Sequence, residues 1–478
     1  MASETLIRGG TLVLPQGEVR GDLLIAGGRI VRIGENLAAD GATVVDATGC
    51  VVLPGLVDPH THIQLDTGIY KTPDNWEIGT RTAACGGVTT VVDFATQFPG
   101  QNVEEALAAR LAEIGELAQI DYGLHMMLTA LPGDGELDRW LAWLARAGVS
   151  SIKLYTTYRP NYYQDDAALL RAFRAAAAHD LTVMLHCEND AIVGAATADF
   201  VGRSATELAN HGRARPALAE VEAAHRALFL ARVAGCRLYV VHCSVCGTVD
   251  QVTEARAAGD PAIAETTPQY LLLDEDLYAG DHPEWVIMQP PLRAPAEKDA
   301  LWARLAGGEI MTVGTDHCDY TLAEKQRSPR FTETPGGIPG LETMLPLLAT
   351  YGVAQGRLSW TRLVEVTAAA PARIFGLVGK GVLQTGADAD VVVYDPAAAR
   401  TIRAGALHGI AGYTPYDGWP VSGAVRTVFS RGRLVVDDGA FVPAPGWGRF
   451  QRGELAGAGT RTAAALPGQA QEIDGGLL

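Results

Sequence analysis

No stretch of 18 consecutive apolar residues interrupts the 478-residue chain, which removes a helix long enough to span a bilayer from consideration. Positive charge is also scarce. Against 55 Asp and Glu stand 38 Lys and Arg, a formal charge of −17. Nucleic acids and anionic membranes call for the opposite sign, so neither is an expected partner, and a small molecule is. Residues 1–10 carry no basic stretch leading into an apolar core, so no export signal is expected and the chain reads as cytoplasmic. Cysteines are few and odd in number, seven in all. Cys243 and Cys246 have CxxC spacing, but no second pair completes a structural zinc site, and reduced, buried thiols are the expectation.

What is present is a large apolar fraction, 48%, punctuated by 54 Gly and 25 Pro, enough for a sizeable core with many tight turns. Apolar runs rich in Val, Ile and Leu occur at about 52–58, 88–94, 122–128, 151–155, 182–187, 238–243, 262–267 and 310–315. Helix-forming Ala/Leu/Arg/Glu stretches lie between most of them, as at 103–117, 166–178, 220–234 and 249–258. Continuous apolar strands alternating with helices imply a parallel sheet covered by helices, and eight such units imply an α/β fold of the (β/α)8, TIM-like barrel type. The flanks differ: short β runs and turns fill 4–50 and 381–443. Neither flank is long enough to stand alone, so the two are expected to build one small β-sandwich domain from both chain ends. The expected division is 1–52 and 379–450 for the sandwich, 53–378 for the barrel and 451–478 as a tail.

Chemistry-bearing side chains recur at the ends of the apolar runs. Asp58-Pro59-His60-Thr61-His62 closes the first, and alternation along a strand points His60 and His62 the same way, able to grip one metal ion. Alone this pair is weak, but Lys153, His186, His242 and Asp316 sit at or near the ends of later runs, on the face where such barrels do their chemistry. Two divalent ions about 3.5–4 Å apart need more ligands than four histidines supply, together with a bridging anion. An ammonium cannot coordinate a cation, so Lys153 fits this company only if CO2 converts it to a carbamate (N6-carboxylysine) with one oxygen for each ion. Two dications, a carbamate, an ionised Asp316 and a bridging hydroxide leave about one net positive charge, tolerable in a closed barrel mouth. Metal-acidified water would attack, Asp316 would shuttle its proton to a leaving nitrogen, and the implied reaction is hydrolysis of an unactivated amide.

Taken together, DPHTH (58–62), SIKLYTTY (151–158), VMLHCEND (183–190), YVVHCS (239–244) and GTDHC (314–318) resemble the amidohydrolase superfamily. GGVTTVVDF (86–94), ETTPQYL (265–271), PPLR (290–293), GIPGLE (337–342) and ADVV (389–392) narrow the resemblance to its hydantoinase/dihydropyrimidinase branch, over about residues 5–450. The resemblance implies a binuclear centre, usually zinc with manganese or cobalt as alternatives, in which His60, His62 and Asp316 hold one ion and His186 and His242 the other. Carboxylated Lys153 would bridge them. It implies that Tyr158 donates its hydroxyl to the developing oxyanion, and that the substrate is a cyclic ureide opened to an N-carbamoyl amino acid. Main-chain groups at Gln289 and Gly337 would hold the ring's other polar edge. The family often has Ser and Asn at these two positions, and Gly337 is expected to loosen its loop. The ring substituent would meet the loops at 64–70, 94–99 and 155–163, where Leu65, Ile69, Phe98 and Tyr155 offer apolar and aromatic surface.

Of the remaining histidines, His317 is expected to face away from Asp316 together with Cys318, and His125 and His179 read as ordinary polar residues. Two other readings compete. An allantoinase or dihydroorotase would share the metal centre, but Gln269-Tyr270-Leu271 and Tyr158 favour the hydantoinase branch. A non-catalytic scaffold relative would have lost metal ligands, and all six are here. Relatives imply a homotetramer or homodimer, with the segment around 446–452 reaching a neighbour.

Overall fold

The computed structural model describes residues 4–38, 41–68 and 70–454. Seventeen strands among them form two sheets. In chain order they are β1 (Thr5–Leu14), β2 (Gly17–Ala26), β3 (Arg29–Gly34), β4 (Thr43–Asp46), β5 (Val51–Pro54), β6 (Leu56–Asp58), β7 (Val88–Gln97), β8 (Asp121–Leu128), β9 (Ser151–Tyr155), β10 (Thr182–His186), β11 (Leu238–Val240), β12 (Ala262–Thr266), β13 (Thr312–Val313), β14 (Val391–Thr401), β15 (Pro420–Ser430), β16 (Arg433–Asp437) and β17 (Ala440–Phe441).

Strands β6 to β13 pair in sequence order, every pair parallel, as the eight-unit pattern required. The two ends of this order meet just beyond the strands, where Thr61 bridges His317 in parallel and His62 N donates to His317 O at 2.7 Å. Helices run outside, their starts fixed by side chains. Asn102 and Glu105 form a capping box on Val103–Ile114, and Asp165 caps Asp166–Ala178. Strand interiors are buried throughout; all eight residues of β8 are inaccessible.

The chain ends supply the second sheet, as expected, and its strands join in one continuous hydrogen-bonded path, β17-β16-β15-β14-β5-β1-β2-β3, with β4 beside β1. One sequence expectation is corrected here: the apolar run at 52–58 is two strands. β5 pairs with β14 in the mixed sheet, while β6 pairs with β7 in the barrel. The switch falls at Gly55, where a Cβ would lie 2.0 Å from Thr89 Oγ1, so only glycine lets the chain pass so close to β7. Buried Lys380 joins the two sheets, pairing with Asp121 of β8 and with Asp388 and Asp390 just before β14.

Gly446 N, Gly448 N and Gly453 N donate to Glu116 O, Ala118 O and Gly148 O, and Gln451 N to Tyr122 O, so 446–454 runs along the N-terminal end of its own barrel. The rest of the expected tail, 455–478, lies outside the described residues.

Candidate metal centre

The side chains singled out in the sequence converge at the C-terminal mouth of the barrel. His60 and His62 follow β6, Lys153 is the third residue of β9, His186 ends β10, His242 follows β11 and Asp316 follows β13. The Asp58 carboxylate stitches the first turn to the last, accepting His60 N at 3.2 Å, Thr315 N at 3.0 Å and Thr315 Oγ1 at 2.6 Å. Three non-glycine residues here have left-handed backbones: His242 at φ +39°, Asp316 at +49° and Tyr158 at +73°. Each such conformation costs about 1 kcal/mol or more, and such strain clusters at working sites.

Ligand atoms at 2.0–2.1 Å from a tetrahedral ion stand about 3.3 Å from one another. Asp316 Oδ1 lies 3.3 Å from His60 Nε2 and 3.2 Å from His62 Nε2, and on the other side His186 Nδ1 and His242 Nε2 are 3.0 Å apart. The rings of His60 and His242 adjoin, centroids 5.5 Å apart, so the two groups share one site. Two outer nitrogens are anchored. His60 Nδ1 meets Glu265 Oε1 at 2.8 Å, while that carboxylate also takes Tyr239 OH at 2.7 Å and His242 N at 2.9 Å. His186 Nε2 meets Glu188 Oε2 at 2.7 Å, and Arg215 grips Glu188 with two donors, Nε at 3.0 Å and Nη2. Inner His60 Nε2 is buried without a hydrogen-bond partner. The outer nitrogens of His62 and His242, both Nδ1, have no partner among the described residues, so one ring of each pair, His60 and His186, is oriented from outside, as second-layer carboxylates orient metal-binding imidazoles.

Electrostatics agree. Burial, and next the charge of Lys153, hold His60 well below the ordinary imidazole range; burial and His186 do the same for His242, so both offer neutral lone pairs. Burial works against ionising Asp316, but His60, His62 and Lys153 pull its carboxyl below the usual range. Burial brings Lys153 down to about 8 and raises Glu265 to about 7. Lys153 is 1% exposed, and among the described residues no hydrogen bond or ion pair reaches its Nζ; it sits 5.6 Å from the Phe94 ring and 5.4 Å from that of Tyr155. The other two buried lysines are saturated, Lys380 by three carboxylates and Lys325 by three carbonyls. An unpartnered buried amine is costly as it stands and well suited to carbamate formation.

Residues 51–435 match the family model described as "Amidohydrolase family". The chain belongs to the amidohydrolase family. Among curated relatives, the D-hydantoinase of Streptomyces coelicolor is 38% identical over 94% of this chain and 98% of its own, and the D-phenylhydantoinase of Escherichia coli is 39% identical over 94% and 97%. The solved structure of dihydropyrimidinase from Brevibacillus agri superposes with a TM-score of 0.92 at 35% identity, covering 95% of this chain and 99% of that one. This amidohydrolase is therefore an enzyme of the hydantoinase/dihydropyrimidinase type, which sets aside the scaffold reading and the sister branches.

Above the cluster the amidohydrolase opens a cavity of about 520 Å³, within the range of small-molecule sites. Leu65, Tyr155, Tyr158, Gln289 and Gly337 line it with the six candidate ligands. Phe98 does not. It lies past the end of β7 in a turn, 42% exposed, so the expectation of a substituent contact there is corrected. Ile69 lies outside the described residues. Gly337 is not loosened as expected: its N–H donates to Ile287 O at 3.0 Å, and a Cβ on it would lie 2.4 Å from Cys318 O. All seven cysteines are buried and free. His125 is a core residue between Pro59 O and Ser151 Oγ, and His179 pairs with Asp138. No helix among the described residues is long and apolar enough to cross a membrane.

Glu265, Glu188, Arg215 and Asp58 were not singled out as site residues by the sequence reading. Glu265 was findable, because it sits in the seventh strand where the ligand rule places chemistry, and so was Glu188, two residues past His186. A second buried His/Asp cluster, Asp74, His317 and Asp319, also has ligand-like spacing. It is closed, however. His317 Nδ1 accepts Gly340 N at 3.1 Å, which leaves the proton on Nε2, facing Asp74 Oδ2 at 3.4 Å, and removes the lone pair a metal would need. Burial and neighbouring Asp74 push Asp319 up to about 7.

Proposed function

We propose that the protein hydrolyses the ring amide of hydantoins or dihydropyrimidines, giving N-carbamoyl amino acids. The observation that carries this is the convergence of His60, His62, His186, His242, Asp316 and an unpartnered Lys153 at the floor of one cavity. The relatives, which include hydantoinases and a dihydropyrimidinase, support it for five- and six-membered rings.

The inner nitrogens and Asp316 fit a pair of divalent ions, zinc with manganese or cobalt as substitutes: His60, His62 and Asp316 would hold one, His186 and His242 the other, and N6-carboxylated Lys153 both. Such a pair, when bound, polarises the scissile carbonyl and acidifies water. Carboxylation forms a bond between Lys153 Nζ and the carbon of CO2 with loss of a proton, which the burial-lowered basicity of the amine favours. Asp316, kept ionised, takes the proton released by the attacking water and delivers it to the ring nitrogen as the C–N bond breaks. Tyr158, its hydroxyl held protonated by burial, donates to the oxyanion that develops on the carbonyl. Arg215 over its ring, 5.3 Å away, and His186, with centroids 5.1 Å apart, hold it there. Leu65 and Tyr155 meet the ring substituent, and main-chain groups at Gln289 and Gly337 take the ureide edge.

In this reading the barrel, entered at β6 after Gly55 and running to about 378, carries the chemistry, the chain up to Pro54 and 379–450 form the accessory unit, and the subunit assembles into a homotetramer or homodimer, which light scattering checks. The deciding experiment is turnover of hydantoin, dihydrouracil, allantoin and dihydroorotate by metal-replete enzyme. Open-chain N-carbamoyl product from either of the first two is expected. Failure on both with about two ions bound per chain would overturn the reading.

A further inference from the structure

Lys325 has no part in the chemistry above, yet it is fully buried beside the cavity. It ends the short helix Leu322–Lys325, and its Nζ donates to Ile287 O at 2.8 Å, Pro335 O at 2.9 Å and Gly337 O at 2.9 Å. An ammonium has three protons, and here three carbonyls take them. No carboxylate pairs with it among the described residues, and burial pushes it down to about 7, so the position is held against a substantial desolvation cost. Three carbonyls converge on this one buried point, and only a side chain with several donors can meet them all, which makes the choice of lysine informative.

The three carbonyls belong to two segments distant in sequence. Ile287 leads into Met288 and Gln289; Pro335 and Gly337 flank Gly336; Met288, Gln289, Gly336 and Gly337 all line the cavity. The segments touch each other directly. Gly337 N donates to Ile287 O at 3.0 Å, and a Cβ on Gly336 would fall 1.8 Å from Gln289 Oε1, so the Gln289 carboxamide lies flat against that glycine. On the far side Gly337 abuts Cys318 O, and Tyr413 OH reaches Gly337 O at 3.5 Å.

We propose that Lys325 is a positioning residue: its ammonium fixes the spacing between segments 287–289 and 335–337, and thereby sets the main-chain edge that grips the substrate ring. This rests on the reading that Gln289 and Gly337 hold the ureide edge. The ammonium also fixes the carbonyl of a residue, Gly337, whose close approach to Cys318 O leaves no room for a Cβ.

Lys325→Met and Lys325→Gln, assayed on hydantoin and dihydrouracil, test it. Expected are a KM raised about tenfold or more, a kcat within about threefold of the parent, and unchanged metal content, with Gln milder than Met because its amide keeps two donors. A KM within about twofold of the parent overturns the proposal, and so does a parallel loss of KM, kcat and metal, which would mark a general folding role. Should neither variant fold, hydrogen exchange in the unaltered enzyme decides: the Gly337 amide must exchange as slowly as those of β12, and fast exchange sinks the clamp. An unaltered enzyme that turns over no cyclic ureide would instead sink the functional reading, while the exchange result would still judge the clamp.

Discussion

Asp316 and His317 are neighbours in the chain, and each belongs to a buried cluster of histidine and aspartate, yet the two clusters are opposites. Around Asp316, Glu265 and Glu188 anchor His60 and His186 from outside, and the nitrogens that face inward meet only Asp316 and one another. Around His317 the ring is spent: one nitrogen accepts the Gly340 amide and the other gives its proton toward Asp74. The lesson is that ligand residue types at ligand spacing do not make a metal site. What decides is where the second nitrogen of each ring finds its partner, because that fixes which lone pair is left over.

Four experiments would break or sharpen this contrast. Chelation has the largest expected effect: activity falls to background and returns with zinc, and metal analysis finds two ions per chain, never three, unchanged by His317→Asn. A third ion lost with that variant would show the closed cluster to be open. Asp316→Asn should lower kcat by about 10²–10⁴, the usual worth of a general acid/base, whereas Asp319→Asn, which keeps the size of the side chain in the closed cluster, should leave steady-state rates within about threefold. Tyr158→Phe should cost about 10²–10³ in kcat with metal content intact, as for loss of one oxyanion donor; a smaller loss would return Tyr158 to the cavity rim. The smallest effect is on stability. The carboxyl of Asp319 is raised in the fold to about 7 from 3.8, so its contribution is fully present below pH 3.8 and is lost as pH climbs toward 7. Thermal melts across that window should fall less steeply with pH for Asp319→Asn than for the parent, and identical slopes would contradict the raised Asp319 carboxyl.

Much of this was legible along the chain, for a definite reason. In a parallel barrel the C-terminal end of each strand is a fixed position in both sequence and space, so His60, Lys153, His186, His242 and Asp316 could be read as one constellation from their places after apolar runs. The same rule would have found Glu265, passed over because it ends a run without a histidine beside it. Phe98 was misplaced because β7 runs on to Gln97 and carries it past the cavity.

The sequence by itself determined the fold class and the set of candidate ligands, because strand period and strand-end position are local properties that repeat. Only the tertiary structure decided which rings keep a free nitrogen, that Gly55 hands one apolar run to two sheets, and that a lysine in a polar stretch, Lys325, is buried as a clamp. Each of these depends on partners tens to hundreds of residues away, and no local pattern encodes who those partners are.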